Sequence, residues 1–205
     1  MPPLGLLTVA LWIAQHSVLC QQQRFRVRPS NVSVVEGDSA ILRCEVHHQV
    51  GQLQWAKDGF ALGYSRSLPG YSRYRMLGDP GSGVHDLEVT NVSLDDDGRF
   101  QCQVSPNRGQ AAIRADAFLT VLVRPSTVQI RSLAPASSSG LYEVAKGSQL
   151  TLKCDVIGAR PAAEVHWQRN GVVMNLGQED SFSGWGSPRR NDTTSVVTLQ
   201  AHCCR

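Results

Sequence analysis

Lysine, aromatic residues and long apolar runs are all scarce in this chain. Three of its 20 basic residues are lysine, the other 17 are arginine, and aromatics make up 6%. After residue 20 no stretch approaches the ~18 apolar residues of a membrane-spanning helix. Phe118 to Val123 is apolar but reads as a strand. The net charge is +3, and no dense basic stripe is interleaved with aromatics, which excludes a nucleic-acid footprint. Enzyme signatures are missing as well. There is no H-E-x-x-H, no G-x-S-x-G and no phosphate-cradling loop, and the six histidines fall in no motif. Neither a catalytic residue nor a cofactor is expected. His202 beside Cys203 and Cys204 lacks the ligand spacing of a zinc site.

Acidic and basic residues are also absent from residues 1–20. Leu4 to Ala14 form an apolar stretch too short to span a bilayer. Val18 and Cys20 suit the −3 and −1 positions of a leader cleavage site, which places the cut before Gln21. Three N-x-(S/T) sequons, at Asn31, Asn91 and Asn191, fit a glycosylated extracellular product of the secretory pathway.

What the chain does have is a tryptophan between two cysteines: Cys44, Trp55 and Cys102. The second cysteine ends the string Asp96-Asp97-Gly98-Arg99-Phe100-Gln101-Cys102, the D-x-G-x-(Y/F)-x-C pattern of an immunoglobulin-type sandwich. Such a fold is all-β, with one cysteine on strand B, the other on strand F, and the strand-C indole packed against their bond. Closing a loop of this length stabilises by roughly 4 kcal/mol in the chain-entropy model. The start of the pattern recurs at Cys154 and Trp167.

Residues 31–123 alternate as strands should. Ala40, Leu42, Cys44 and Val46 point inward on strand B. Leu53 and Trp55 do so on strand C, leaving Gln52, Gln54 and Ala56 outside. Lys57-Asp58-Gly59 is a hairpin turn, followed by an edge segment from Phe60 to Tyr64. Phe100, Cys102 and Val104 point inward on strand F, so Gln101, Gln103 and Ser105 face out. Arg114, Asp116 and Phe118 share the outer side of strand G. Asp96 sits where these sandwiches pair a carboxylate with an arginine opening strand D. Arg73 is the candidate partner and Arg75 the reserve. A calcium site from Asp95, Asp96 and Asp97 lacks the spaced ligands of a calcium loop. Phe100 replaces the usual tyrosine and loses its hydroxyl bond, worth about 1 kcal/mol net.

The second unit repeats the turn before strand B at Glu143 to Ser148. Leu150, Leu152, Cys154 and Val156 alternate, Val165 and Trp167 mark strand C, and Thr194 to Gln200 read as strand E. No second D-x-G-x-(Y/F)-x-C appears after it. The expected organisation is a leader at 1–20, a V/I-set-type domain at 21–124, and a second domain at 125–205 whose F and G strands are missing. Cys154 could bridge to Cys203 or Cys204, with one thiol left over. A truncated transcript, splice variant or gene fragment accounts for such a tail.

Leu53-Gln54-Trp55-Ala56-Lys57-Asp58-Gly59-Phe60-Ala61-Leu62-Gly63 resembles the strand C to C′ region of nephrin and its invertebrate relatives Sticks and stones and Hibris. So do Pro69 to Arg75, Gln101 to Val104 and Leu119 to Val123. Ala159-Arg160-Pro161-Ala162-Ala163 is similar to a segment of the wider group of Kirre, Roughest and IRRE-like proteins. The resemblance implies a cell-adhesion protein that binds a related immunoglobulin-superfamily partner through the C, C′, F and G strands of its first domain. On this chain that face would hold Gln54, Phe60, Leu62, Tyr64, Gln101, Gln103 and Arg114. A soluble form of such a receptor, or an immune-type binder, are the competing readings. Arg24, Arg26 and Arg28 alternate and offer a smaller possibility, an acidic polysaccharide.

Overall fold

Inward-facing aliphatic residues at every second position leave this chain one way to bury its apolar area: two sheets facing each other. The structure, a computed structural model, describes residues 21–133, 144–174, 182–185 and 189–200. The expected leader segment, residues 1–20, and Cys203 and Cys204 lie outside the described residues.

The first sandwich contains β1 (Arg24–Val27), β2 (Val32–Val35), β3 (Ala40–Leu42), β4 (Glu45–His47), β5 (Leu53–Lys57), β6 (Phe60–Gly63), β7 (Tyr74–Leu77), β8 (Asp86–Val89), β9 (Gly98–Val104) and β10 (Ile113–Leu122). One sheet runs β2-β10-β9-β5-β6. The opposite layer is made of β1-β4 and β3-β8-β7. The strand β2 pairs parallel to β10, with Leu119 beside Val32; the other pairings are antiparallel.

Between the layers Cys44 and Cys102 form a disulfide. Trp55, Leu42, Leu87, Phe100, Leu119 and Val121 are fully enclosed around it. The Trp55 indole N–H donates to the His85 carbonyl at 2.8 Å, so burying the ring leaves no polar atom stranded. Below the core Arg73 grips Asp96 with both guanidinium nitrogens, Nη2 lying 2.9 Å from Oδ1. The Tyr74 hydroxyl and the Ser93 N–H also donate to this carboxylate. Arg75, the reserve candidate, pairs with Glu88 instead.

The second sandwich contains β11 (Thr127–Ser132), β12 (Gln149–Ala159), β13 (Gln168–Arg169), β14 (Val172–Val173), β15 (Phe182–Trp185) and β16 (Asn191–Gln200). A sheet β11-β12-β16-β15 faces the hairpin β13-β14. Trp167 precedes the hairpin rather than lying within a strand; its indole donates to the Ser195 hydroxyl at 3.0 Å. Cys154, Val156 and Val197 pack with it. Burial, with the charge of Asp155 beside it, pushes the Cys154 thiol up from its ordinary value. Val128 and Ile130 pair with Val156 and Cys154 and so share their core-side face, yet both are exposed. No strand F or G is present among the described residues.

Candidate recognition surface

The outer face of the five-stranded sheet can be read row by row, because residues opposite each other in an antiparallel pair point the same way. One row is Gln54, Gln103 and Arg114. The next is Ala61, Ala56, Gln101 and Asp116. A third joins Arg99 to Phe118. The Gln101 amide donates to Asp116 at 2.8 Å, which holds two polar groups flat against the sheet. The Phe118 N–H donates to the Asn31 side-chain oxygen at 2.9 Å. Its ring is 52% exposed. The face is therefore a polar carpet with one open aromatic and an exposed arginine, Arg114, near its top.

Four of the seven residues expected on this face are on it: Gln54, Gln101, Gln103 and Arg114. The other three are not. Leu62 is 4% exposed and belongs to the core. Phe60 is 76% exposed, but it lies opposite Lys57, which lies opposite the buried Phe100. It projects at the lower rim from the core-side row. Tyr64, 55% exposed, lines a hollow of about 240 Å³ at the β6 edge with Gln52, Arg66, Met76 and His85. For Phe60 and Leu62 the cause is the two-residue turn at Asp58-Gly59, which sets Phe60 opposite the core-side Lys57 and so gives Leu62 the same parity. The register shift between Trp55 and Ala56 adds its extra residue only beyond Ala61, ahead of Tyr64. Such a bulge turns the next residues of the strand to the other side. Ala56 does occupy the outer row, yet its methyl is buried.

Phe118 and Asp116 are the residues that should have been counted with the face. Their signal was in the sequence: strand G alternates Arg114, Asp116 and Phe118 outward, and an aromatic at an outward position is a deviation worth weighing.

Of the three sequons, Asn31 and Asn91 are exposed, whereas Asn191 is half-buried at the start of β16. Arg26 is engaged by Glu45 at 2.6 Å, which also takes Arg43, and Arg28 lies over the Phe25 ring. Arg26 of the alternating set is thus ion-paired, while Arg28 keeps its charge over the ring. Burial alone would push the Asp96 carboxyl up, but the bonds from Arg73, Tyr74 and Ser93 outweigh it and hold it below the usual range. Among the described residues no group of three His, Cys, Asp or Glu side chains is placed to hold a metal ion. No helix among them is long and apolar enough to cross a membrane.

Comparison with known proteins places the chain. Residues 23–106 and 140–201 each match the family model "Immunoglobulin domain". The Irregular chiasm C-roughest protein of Drosophila melanogaster is 41% identical over 182 residues, 87% of this chain and 23% of that protein. Kin of IRRE-like protein 1 of Homo sapiens is 34% identical over 82% of the chain and 21% of its own length. Human nephrin is 36% identical over 79% of the chain and 13% of its length. The crystal structure of Rst D1–D2 superposes with a TM-score of 0.73 at 37% identity, covering 89% of this chain and 86% of that one. Bovine butyrophilin, 19% identical with a TM-score of 0.58, shares the fold. The chain spans about a quarter or less of the curated relatives' length. These relatives are adhesion proteins and not enzymes. With two immunoglobulin domains, the cystine–tryptophan core and this similarity over most of its length, the chain belongs to the IRRE group of the immunoglobulin superfamily, alongside the roughest, Kin of IRRE-like and nephrin proteins.

Proposed function

We propose that the first domain, residues 21–124, is an extracellular cell-adhesion module. It docks onto a related immunoglobulin domain through the outer face of the β2-β10-β9-β5-β6 sheet. Residues 125–205 carry the second domain. N-linked glycans on the sequons fit a product of the secretory pathway. The single observation that supports this reading most is the row structure of the face. Phe118 stands exposed beside Arg99, with Arg114 and three half-buried glutamines forming a flat surround. Aromatic and arginine side chains are the usual anchors of protein interfaces. Glutamines already lying on the sheet lose little freedom on being covered. Two such faces meeting would bury about 800 Å² per partner, a contact that is weak singly and strong in arrays between cells.

Beads coated with the chain test this, mixed with beads bearing either the same chain or the first two domains of the roughest protein. Arg114→Glu with Phe118→Asp should abolish clustering, and Gln54→Ala should weaken it. Phe60→Asp, on the rim, should leave it intact. Clustering that survives the Arg114/Phe118 double variant, in material secreted at normal yield, would sink the proposed face.

A further inference from the structure

Asp95, Asp96 and Asp97 are consecutive in the turn before β9, yet each meets a different arginine. Asp96 turns inward to Arg73 of its own domain. The other two point to the second domain. Asp97 takes Arg160 at 2.9 Å, and Asp95 takes Arg189 at 2.7 Å. A third acidic residue at the same end, Glu36, takes Arg190 with both carboxylate oxygens, at 3.3 and 3.0 Å. Between the paired groups the main chains also meet: the Val123 N–H donates to the Arg160 carbonyl at 2.9 Å, and the Arg160 N–H returns to Val123 at 3.0 Å.

We propose that Glu36, Asp95 and Asp97 on one side and Arg160, Arg189 and Arg190 on the other form an interdomain clasp that makes the two sandwiches a single rigid arm. The linker supports this. Residues 123–126 alone separate β10 from β11. Val123 is buried, Pro125 restricts the backbone, and the Ser126 N–H is bonded to Ile157 at 2.9 Å. The acidic side is held in place before the domains meet: Asp97 Oδ2 also accepts from the Val121 N–H at 2.9 Å, and the Glu36 N–H is bonded to the Leu122 carbonyl at 2.8 Å. On the other side Asp192 anchors the Gly158 N–H at 2.9 Å, fixing the strand end that carries Arg160.

The three pairs are unequal. Arg160–Asp97 and Arg190–Glu36 are half-buried, so water screens them less than the open Arg189–Asp95 pair, which contributes little. Each contact is made by one guanidinium nitrogen: Nη2 of Arg160 and of Arg190, and Nη1 of Arg189, which also donates to the Leu94 carbonyl at 3.1 Å. A clasp of this kind fixes the angle at which domain 1 is presented, whatever its partner, so the inference stands apart from the proposed function.

The test is the tumbling of the two domains, measured by amide relaxation on the secreted chain. The parent should give one common correlation time for both. Arg160→Glu with Arg190→Glu should split it into two shorter times, with Trp55 fluorescence and the Cys44–Cys102 bond unchanged. Arg160→Gln with Arg190→Gln, less disruptive, should shift it the same way by a smaller amount. Exchanging charges, Glu36→Arg with Arg190→Glu, should restore more of the common tumbling than Arg190→Glu alone. Common tumbling that persists in both double variants, or a charge exchange no better than the single change, would overturn the clasp.

Discussion

His85 shows how a residue with no motif around it acquires a role from its surroundings. Its carbonyl receives the Trp55 indole N–H, and its ring Nε2 sits 2.8 Å from the Gln49 side-chain oxygen. Burial, and then the nearby Arg66 charge, depress its pKa below the ordinary 6.5, against the smaller pull of Asp86 and Asp79. The folded state therefore resists protonation while the unfolded chain accepts it. Its contribution is fully present above about pH 6.5 and is lost as pH falls toward the folded-state value. The urea midpoint should drop between pH 7 and pH 5, and His85→Gln should flatten that drop. An undiminished drop in the variant would remove His85 as its source. Asp96 is a second case of a role set by surroundings. Phe100 lacks the hydroxyl that a tyrosine would bring, and the Tyr74 hydroxyl reaches Asp96 from the other layer. Phe100 was visible in the sequence as a departure. The role of Tyr74 was not, because nothing local distinguishes a tyrosine that reaches a buried carboxylate from one that only packs.

Among the elements, β5, β9 and β10 follow their expected alternation, whereas β6 holds the opposite parity to the one expected of Phe60 and Leu62. The two-residue turn at Asp58-Gly59 carries the inward parity of Lys57 to Phe60 and Leu62, putting Leu62 in the core and Phe60 at the rim. The extra residue opposite Trp55 comes after them and before Tyr64 at the edge. Alternation cannot reveal a bulge, since the residue that breaks pairing keeps its place in the sequence pattern. The loops at the upper end are likewise organised by a residue that no pattern marks. Gln23 is buried. Its amide donates to the carbonyls of Ser105 and Ala111, at 3.1 and 2.7 Å, and its oxygen accepts from Val50 and Gly51, at 3.3 and 3.2 Å. Every polar capacity of the side chain is used to tie the loop after β4 to the loop after β9. Gly51 is what lets the two loops approach, since a Cβ there would run into the Ser105 carbonyl oxygen. Gln23→Ala should cost about 1–3 kcal/mol through the stranded partners. It should speed amide exchange at Val50 and Gly51 while leaving β9 protected. Exchange unchanged at those amides would show that the loops hold without it.

For the whole molecule the disulfide is one large contribution to the stability of the first domain. It closes a loop of 58 residues, worth about 4 kcal/mol in the chain-entropy model, against a typical total of about 5–15 kcal/mol. Cys44→Ser with Cys102→Ser should therefore lower the denaturation midpoint sharply and cut secretion. A double variant secreted normally with an unshifted midpoint would contradict this weighting. The cystine, the enclosed indole and the layered architecture were readable from the cysteine–tryptophan pattern and the strand alternation, and the Arg73–Asp96 pair from where such sandwiches place an arginine. Where Tyr64 lies past the bulge in β6, which loops Gln23 joins, and which arginines Asp95 and Asp97 meet could not be read that way. Those depend on a bulge, on loop approach and on two domains coming together, and contacts between residues 36 and 190 or 95 and 189 leave no trace in local pattern.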